Sequence, residues 1–222
     1  MVMAVKLIYV KLIWTNLNRK VRFMKTEKEI KQYIRERWFP DHKATLTKCE
    51  NLEILDWSKP GTCIYAIRFV FDGNYMYITG DTGEAVFRLT WKAGVHTFND
   101  ISTGYFMEKL KAFSDDKYDF DKEKAEQELK EWKEEFLEDN YNIDKEDIEN
   151  FNIFFNELLY ELNDCDKECE WAIKINNMSD EIEKYIRDYW EWLYSIGRTT
   201  PYRILGYIVA LQMASEQLKG SE

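Results

Sequence analysis

Between residues 25 and 38 the apolar positions Ile30, Tyr33, Ile34 and Trp38 recur at helical spacing. Phe39-Pro40 follows, and a proline cannot continue the hydrogen-bond ladder, so the pattern predicts an amphipathic helix over 25–38. The period then changes. Residues 45–56 alternate loosely, and Ser58-Lys59-Pro60-Gly61 reads as a turn. Residues 62–71 are rich in β-branched and aromatic types, which suit a pleated, half-buried surface. Asp72-Gly73-Asn74 is a hairpin signal, residues 75–79 form the return strand, and Gly80 to Gly83 makes a second turn before a third strand over 84–91. Short connections between consecutive strands predict an antiparallel meander.

From Gly104 onward the pattern is helical. A short helix is expected over 104–113. Over 121–138, Ala125, Leu129, Trp132 and Phe136 mark one apolar stripe, with Glu123, Glu131, Glu134 and Glu138 on the opposite face. Over 145–162, Ile148, Phe151, Phe155, Leu158, Leu159 and Leu162 mark another stripe, and over 179–196 Ile182, Tyr185, Ile186, Tyr189, Leu193 and Ile196 a third. Ser179 reads as its capped start and Gly197 as its stop. Pro201 opens a last helix, 201–218, apolar on most sides and therefore expected to be central and buried. The fold class is α+β, a small antiparallel β-meander packed with a C-terminal set of about four or five helices. One α+β domain is expected over 24–222, sheet-rich at 45–91 and helical at 104–218.

Residues 1–23 stand apart: they hold no acidic residue. Lys6 and Lys11 interrupt the apolar run, which excludes a spanning helix. The alternation from Val5 to Trp14 suits an extra strand. Met24 also reads as an ordinary protein start, which would make 1–23 an upstream extension; a signal peptide is disfavoured because no small-residue cleavage site follows.

Composition narrows the function. Apolar residues make up 45% of the 222 and aromatics 16%, enough for a sizeable core. Three prolines and nine glycines leave no long flexible linker. The net charge of −10 disfavours direct nucleic-acid binding and suits a basic partner. Cys49, Cys63, Cys165 and Cys169 are too few for a secreted disulfide framework in a chain this long, so reduced thiols in a cytoplasm are expected. Cys165 and Cys169 share a helix face, yet Cys49 and Cys63 are fourteen apart and His42 and His96 are the only histidines, so no metal or other cofactor is predicted. Neither histidine lies in a nucleophile–base motif, and no catalytic residue is assigned.

Two features remain as candidate sites. Gly80-Asp81-Thr82-Gly83 has the letters of an aspartic-protease loop, but such enzymes need two loops, and no Gly-Lys-Ser/Thr makes it a phosphate loop. With Arg68, the turn Gly80, Asp81, Gly83 and Glu84 is a candidate ligand site; otherwise it is a hairpin turn. The larger feature is residues 115–170, which hold 22 Asp/Glu against 7 Lys/Arg. Within it, Glu123, Glu131, Glu134 and Glu138 line up carboxylates along a rigid helix that could imitate a run of phosphates. The same glutamates would also suit a solvated surface partly neutralised by Lys124, Lys130 and Lys133.

Tyr65–Thr90, with its glycine turn, aromatic strand and Gly-Asp-Thr-Gly-Glu-Ala-Val-Phe core, resembles uncharacterised accessory proteins of bacteriophages and prophages. The resemblance continues through Tyr105-Phe106-Met107-Glu108-Lys109-Leu110, the acidic helical region and the terminal Leu211–Leu218 helix, covering roughly 58–218. It implies a phage accessory protein and transfers no catalytic residue. By analogy with such proteins, the expectation is an anti-defence protein in the host bacterial cytoplasm, of the kind that includes anti-CRISPR and other nuclease inhibitors. Its partner would be a host defence protein with a basic nucleic-acid-binding groove, without membrane or direct nucleic-acid contact. The alternatives are a small enzyme or nucleotide-binding module using the Gly80–Glu84 turn, and a structural phage component.

Overall fold

The computed structural model describes residues 26–140 and 144–220, so the segment 1–23 lies outside the described residues. The fold is α+β, and contacts divide the chain into two compact units: one from the N-terminal side to Asp115 together with Tyr202 onward, the other Asp116–Pro201.

In the first unit, helix α1 (Glu27–Arg37) opens on a capping box: Thr26 Oγ1 accepts from the Glu29 N–H, and the Glu29 carboxylate accepts from the Thr26 N–H. Strands β1 (Lys43–Cys49), β2 (Leu52–Ser58), β3 (Ile67–Asp72), β4 (Tyr75–Gly80) and β5 (Ala85–Arg88) follow, then helix α2 (Thr103–Glu108) and β6 (Leu110–Phe113). The six strands form one antiparallel sheet in sequence order. Side chains alternate across it: Ile67, Phe69 and Phe71 of β3, Met76 and Ile78 of β4, and Ala85 and Phe87 of β5 are buried. The last helix, α7 (Tyr202–Lys219), packs with this core; its Tyr207 ring meets Phe69 and Phe113 edge-on, both at 6.5 Å. Residues 204–211 of α7 are all buried, as an all-round apolar helix requires. Gly206 lets α1 approach, because a Cβ there would stand 3.0 Å from the Trp38 ring.

The second unit holds a small ladder of β7 (Asp119–Phe120) with β8 (Arg198–Thr199), and helices α3 (Lys122–Asp139), α4 (Lys145–Asn163), α5 (Glu168–Asn177) and α6 (Ser179–Ile182). Asp121 and Asp144 cap α3 and α4. Its core gathers Ala125 and Leu129 from α3, Phe151, Phe155, Leu158 and Leu162 from α4, and Trp171 and Ile175 from α5.

Four element expectations change. The 45–56 stretch is two strands, broken at Glu50-Asn51, where Glu50 takes a positive φ of 24°. The strand expected from 62 begins at Ile67, because Tyr65 is left-handed (φ 54°), its N–H donates to Asp81 and its ring stacks on Trp38 at 4.7 Å. The 104–113 helix ends at Glu108, and Leu110–Phe113 instead completes the sheet against β5. The 179–196 helix is four residues of α6 followed by two 3-10 turns, Tyr189–Glu191 and Leu193–Ser195, with Asp188 left-handed at φ 53°. The apolar stripe there is nonetheless buried: Ile182, Ile186, Tyr189, Leu193 and Ile196 all enter the core. The buried Trp171 indole N–H donates to the Leu193 carbonyl at 2.8 Å and ties the second of these turns to α5.

Candidate functional site

Helix α3 turns its apolar stripe inward: Ala125 and Leu129 are fully buried, and Trp132 packs against Phe151 and Phe155 of α4. Amphipathic geometry then fixes the other face outward, and Glu123, Glu131, Glu134 and Glu138 are all exposed. The lysines of the same helix are engaged elsewhere. Lys124 reaches Glu128 at 3.6 Å and the Arg198 carbonyl at 2.6 Å, Lys130 pairs with Glu126, and the Lys133 ammonium sits 4.5 Å from the Phe155 ring centre. Burial lowers the Lys133 pKa below its ordinary value. Among the described residues, none of the four outer glutamates is in an ion pair; Glu131 accepts one hydrogen bond from Gln127 at 2.8 Å. Residues 116–201 hold 26 Asp/Glu against 11 Lys/Arg, so the whole negative excess of the chain belongs to the second unit.

The Gly80–Glu84 turn is built differently. Gly80 has φ 141°, and a Cβ there would lie 2.2 Å from the Ala66 carbonyl oxygen. Asp81 accepts from the Tyr65 N–H at 2.7 Å, as an Asx side chain does in a tight turn. Thr82 is buried, and its carbonyl accepts from the Tyr207 hydroxyl at 2.8 Å; burial pushes the Tyr207 pKa up to about 12, against the smaller lowering by that hydrogen bond. Gly83 also has a positive φ of 96°, and the Glu84 N–H donates to Ser114 Oγ. Arg68 is spent on its cross-strand neighbour Asp56, with two bonds at 2.6 and 3.2 Å, and that hydrogen bonding raises its pKa. The structure therefore places Arg68 beside the turn in register but aims its guanidinium at Asp56.

Cys49, Cys63 and Cys169 are exposed thiols and Cys165 is buried, with burial raising its pKa. Among the described residues no group of three or more His, Cys, Asp or Glu is arranged to hold a metal ion. His96 meets a hydroxyl that sequence reasoning could not connect to it: Nδ1 lies 2.9 Å from Ser215 Oγ on α7, 119 residues away. Ser215 is only 1% exposed, closed to any substrate, so the pair is a tie between α7 and the Val95–Phe98 turn. The same stretch of chain forms a groove of about 480 Å³, lined by Trp91, Asp100 and Tyr105 among others. These residues carry no motif; they meet because the loop after β5 folds back against α2. Hydrogen bonding to Thr90 and then to Lys109 lowers the Tyr105 pKa.

No described helix is long and apolar enough to cross a membrane. Comparisons with known protein families, with characterised proteins and with solved structures find no match for this chain.

Proposed function

We propose that this chain is a phage- or prophage-encoded anti-defence protein that binds a basic surface of a host defence protein, such as the nucleic-acid groove of a CRISPR effector or another nuclease, through the outer face of α3. The observation that carries this reading is the row of Glu123, Glu131, Glu134 and Glu138. These four project from one side of a helix whose own lysines neutralise other groups or lie against the core. A helix holds carboxylates at a fixed spacing, so their charges add at a partner's surface without the ordering cost of a flexible tail. The acidic excess of the second unit would also steer encounter with a basic groove from a distance.

The enzyme reading around Gly80–Glu84 draws no comparable support: the Asp81 carboxylate, the Thr82 carbonyl and the Glu84 N–H are spent on Tyr65, Tyr207 and Ser114, and Arg68 is spent on Asp56. The test is a nuclease-protection assay with purified defence nucleases, CRISPR effectors included. Protection of the DNA substrate by the parent protein should weaken as salt rises, since exposed charges are screened over about 8–10 Å at physiological ionic strength. The variant carrying Gln at 123, 131, 134 and 138 should lose protection. Undiminished protection by that variant, with unchanged salt dependence, would show the face to be a solvated surface.

A further inference from the structure

The sheet of the first unit has one face turned to its core, where Tyr207 of α7 meets Phe69. A sheet whose other face is solvated alternates apolar-in and polar-out. Here that alternation fails at the middle of each central strand. The register sets Thr47, Ile54, Val70, Tyr77, Val86 and Ala112 opposite one another from β1 to β6. Each is offset by one residue from a core-facing neighbour, so the whole row lies on the outer face. Ile54, Val70 and Val86 are half-buried, and Tyr77 is 39% exposed with its ring stacked on Tyr75. The row crosses the full sheet, about 24 Å at the usual strand spacing.

Charges flank this row in a fixed order. On β3, Arg68 and Asp72 stand either side of Val70; along the line of β5, Glu84 and Arg88 stand either side of Val86, and all four are exposed. Strands β3 and β5 run in the same direction, since both are antiparallel to β4. One side of the row therefore carries Arg68 and Glu84, and the other Asp72 and Arg88. Lys43 and Asp56 complete a face with no net charge, in a chain of −10. Such a face selects neither a basic nor an anionic partner. What matches it is a surface with the same signs in the reverse order. A two-fold axis along the row supplies that surface, because it exchanges the two sides. Arg68 then meets Asp72 of the second copy, Arg88 meets its Glu84, and the apolar row meets itself. The bonds from Arg68 to Asp56 leave its guanidinium further N–H donors for the second carboxylate.

We propose that the outer face of the six-stranded sheet is a homodimer interface, two copies packing sheet on sheet about a two-fold axis along the Ile54–Val70–Tyr77–Val86 row. It lies in the first unit and does not rest on the acidic helix of the second. Sheets packed face to face stand about 10 Å apart, a gap that side chains from both copies fill. The face offers roughly 400 Å² per copy, about half of what a standard stable interface buries, so the dimer is weak and reversible.

The experiment is analytical ultracentrifugation of the full-length protein from about 5 to about 500 μM, at physiological ionic strength. A monomer–dimer equilibrium with a Kd of about 100 μM or tighter is expected. Tyr77→Lys sets a charge against its own copy across the axis and should weaken the dimer by about tenfold or more. Arg88→Glu sets like charges together and should weaken it by about fivefold. The double variant Glu84→Arg, Arg88→Glu restores opposite signs and should return the Kd to within about threefold of the parent's, a recovery that a purely structural role for Arg88 would not give. Circular dichroism melts of dilute samples check that each variant is folded. The proposal is overturned if the parent stays monomeric to about 500 μM, if its dimer is indifferent to Tyr77→Lys and Arg88→Glu, or if the double variant is as weak as Arg88→Glu alone.

Discussion

At the scale of single residues, His42 and Gly80 of the first unit sit where the surroundings constrain the residue type. His42 is 3% exposed, enclosed by the Phe39 and Trp57 rings at 5.0 and 5.6 Å. Its Nε2 lies 3.2 Å from the Tyr65 carbonyl oxygen and its Nδ1 has no partner. Burial holds its pKa below the ordinary 6.5, outweighing the backbone hydrogen bonds and nearby Asp41 that favour the charged ring. The unfolded chain therefore binds the proton more readily than the folded one. The stability from a neutral His42 is complete above about pH 6.5 and is lost as pH falls through the depressed folded value. Thermal melts at pH 7.5 and 5.5 should show a drop for the parent and a smaller drop for His42→Leu; equal drops would mean that His42 does not control the acid side. Gly80 makes a second test. A methyl group there meets the Ala66 carbonyl oxygen at 2.2 Å in a backbone region that L-residues avoid, so Gly80→Ala should cost about 2–4 kcal/mol in denaturant unfolding.

At the scale of elements, long periodic stretches were readable and short or tertiary-dependent ones were not. The stripes of α3 and α4 and the all-round apolarity of α7 predicted these helices to within a residue or two, because each buries a continuous face. The face holding Glu123, Glu131, Glu134 and Glu138 was legible for the same reason. What each lysine does was not, since Lys130 has a local partner but Lys124 also reaches β8 and Lys133 lies over an α4 ring. The 179–196 stripe has the correct burial and the wrong backbone: periodicity reports which residues face a core, whereas the helix itself ends at Ile182 and the stripe continues through turns, one of which gives its Leu193 carbonyl to Trp171. Trp171→Phe should leave that carbonyl unsatisfied and cost about 1–3 kcal/mol, read by chemical denaturation; a cost near zero would show that the turns do not need this bond. Strand β6 was hidden because it is only four residues and is defined by pairing with β5. The groove of Trp91, Asp100 and Tyr105 was equally hidden, since no local pattern marks residues that converge only in the fold. The dipole of α3 bears on the glutamine test proposed above. Glu123 lies in its first turn, where a negative charge helps, and Glu138 in its last, where no basic residue offsets it. Each such interaction is worth about 0.3–1 kcal/mol with opposite sign, so replacing both should leave helix stability nearly unchanged.

At the scale of the whole molecule, the chain leaves the first unit at Asp115 and returns to it at Tyr202. Within that unit the two ends are close, because Arg203 pairs with Asp115 at 3.0 Å. Residues 116–201 have their own core, from Ala125 to Ile196, with a fully buried tryptophan at Trp171 and a two-stranded ladder joining Asp119–Phe120 to Arg198–Thr199. A continuous segment with its own core, whose ends are joined by a ladder, has what an independent fold needs. Residues 116–201 expressed alone should therefore be helical by circular dichroism and melt cooperatively. The complementary deletion, with Asp115 joined to Tyr202 through a short Gly/Ser linker, should keep the six-stranded sheet and α7. Charge gives this division a functional reading, since the excised segment takes with it 26 of the 41 acidic residues. If α3 is the contact surface, the excised segment alone should protect the same nuclease substrate as the full chain, with the same loss at high salt, and the linker-joined remainder should protect nothing. Protection by the remainder, or none by a folded 116–201 segment, would move the contact surface out of the acidic unit.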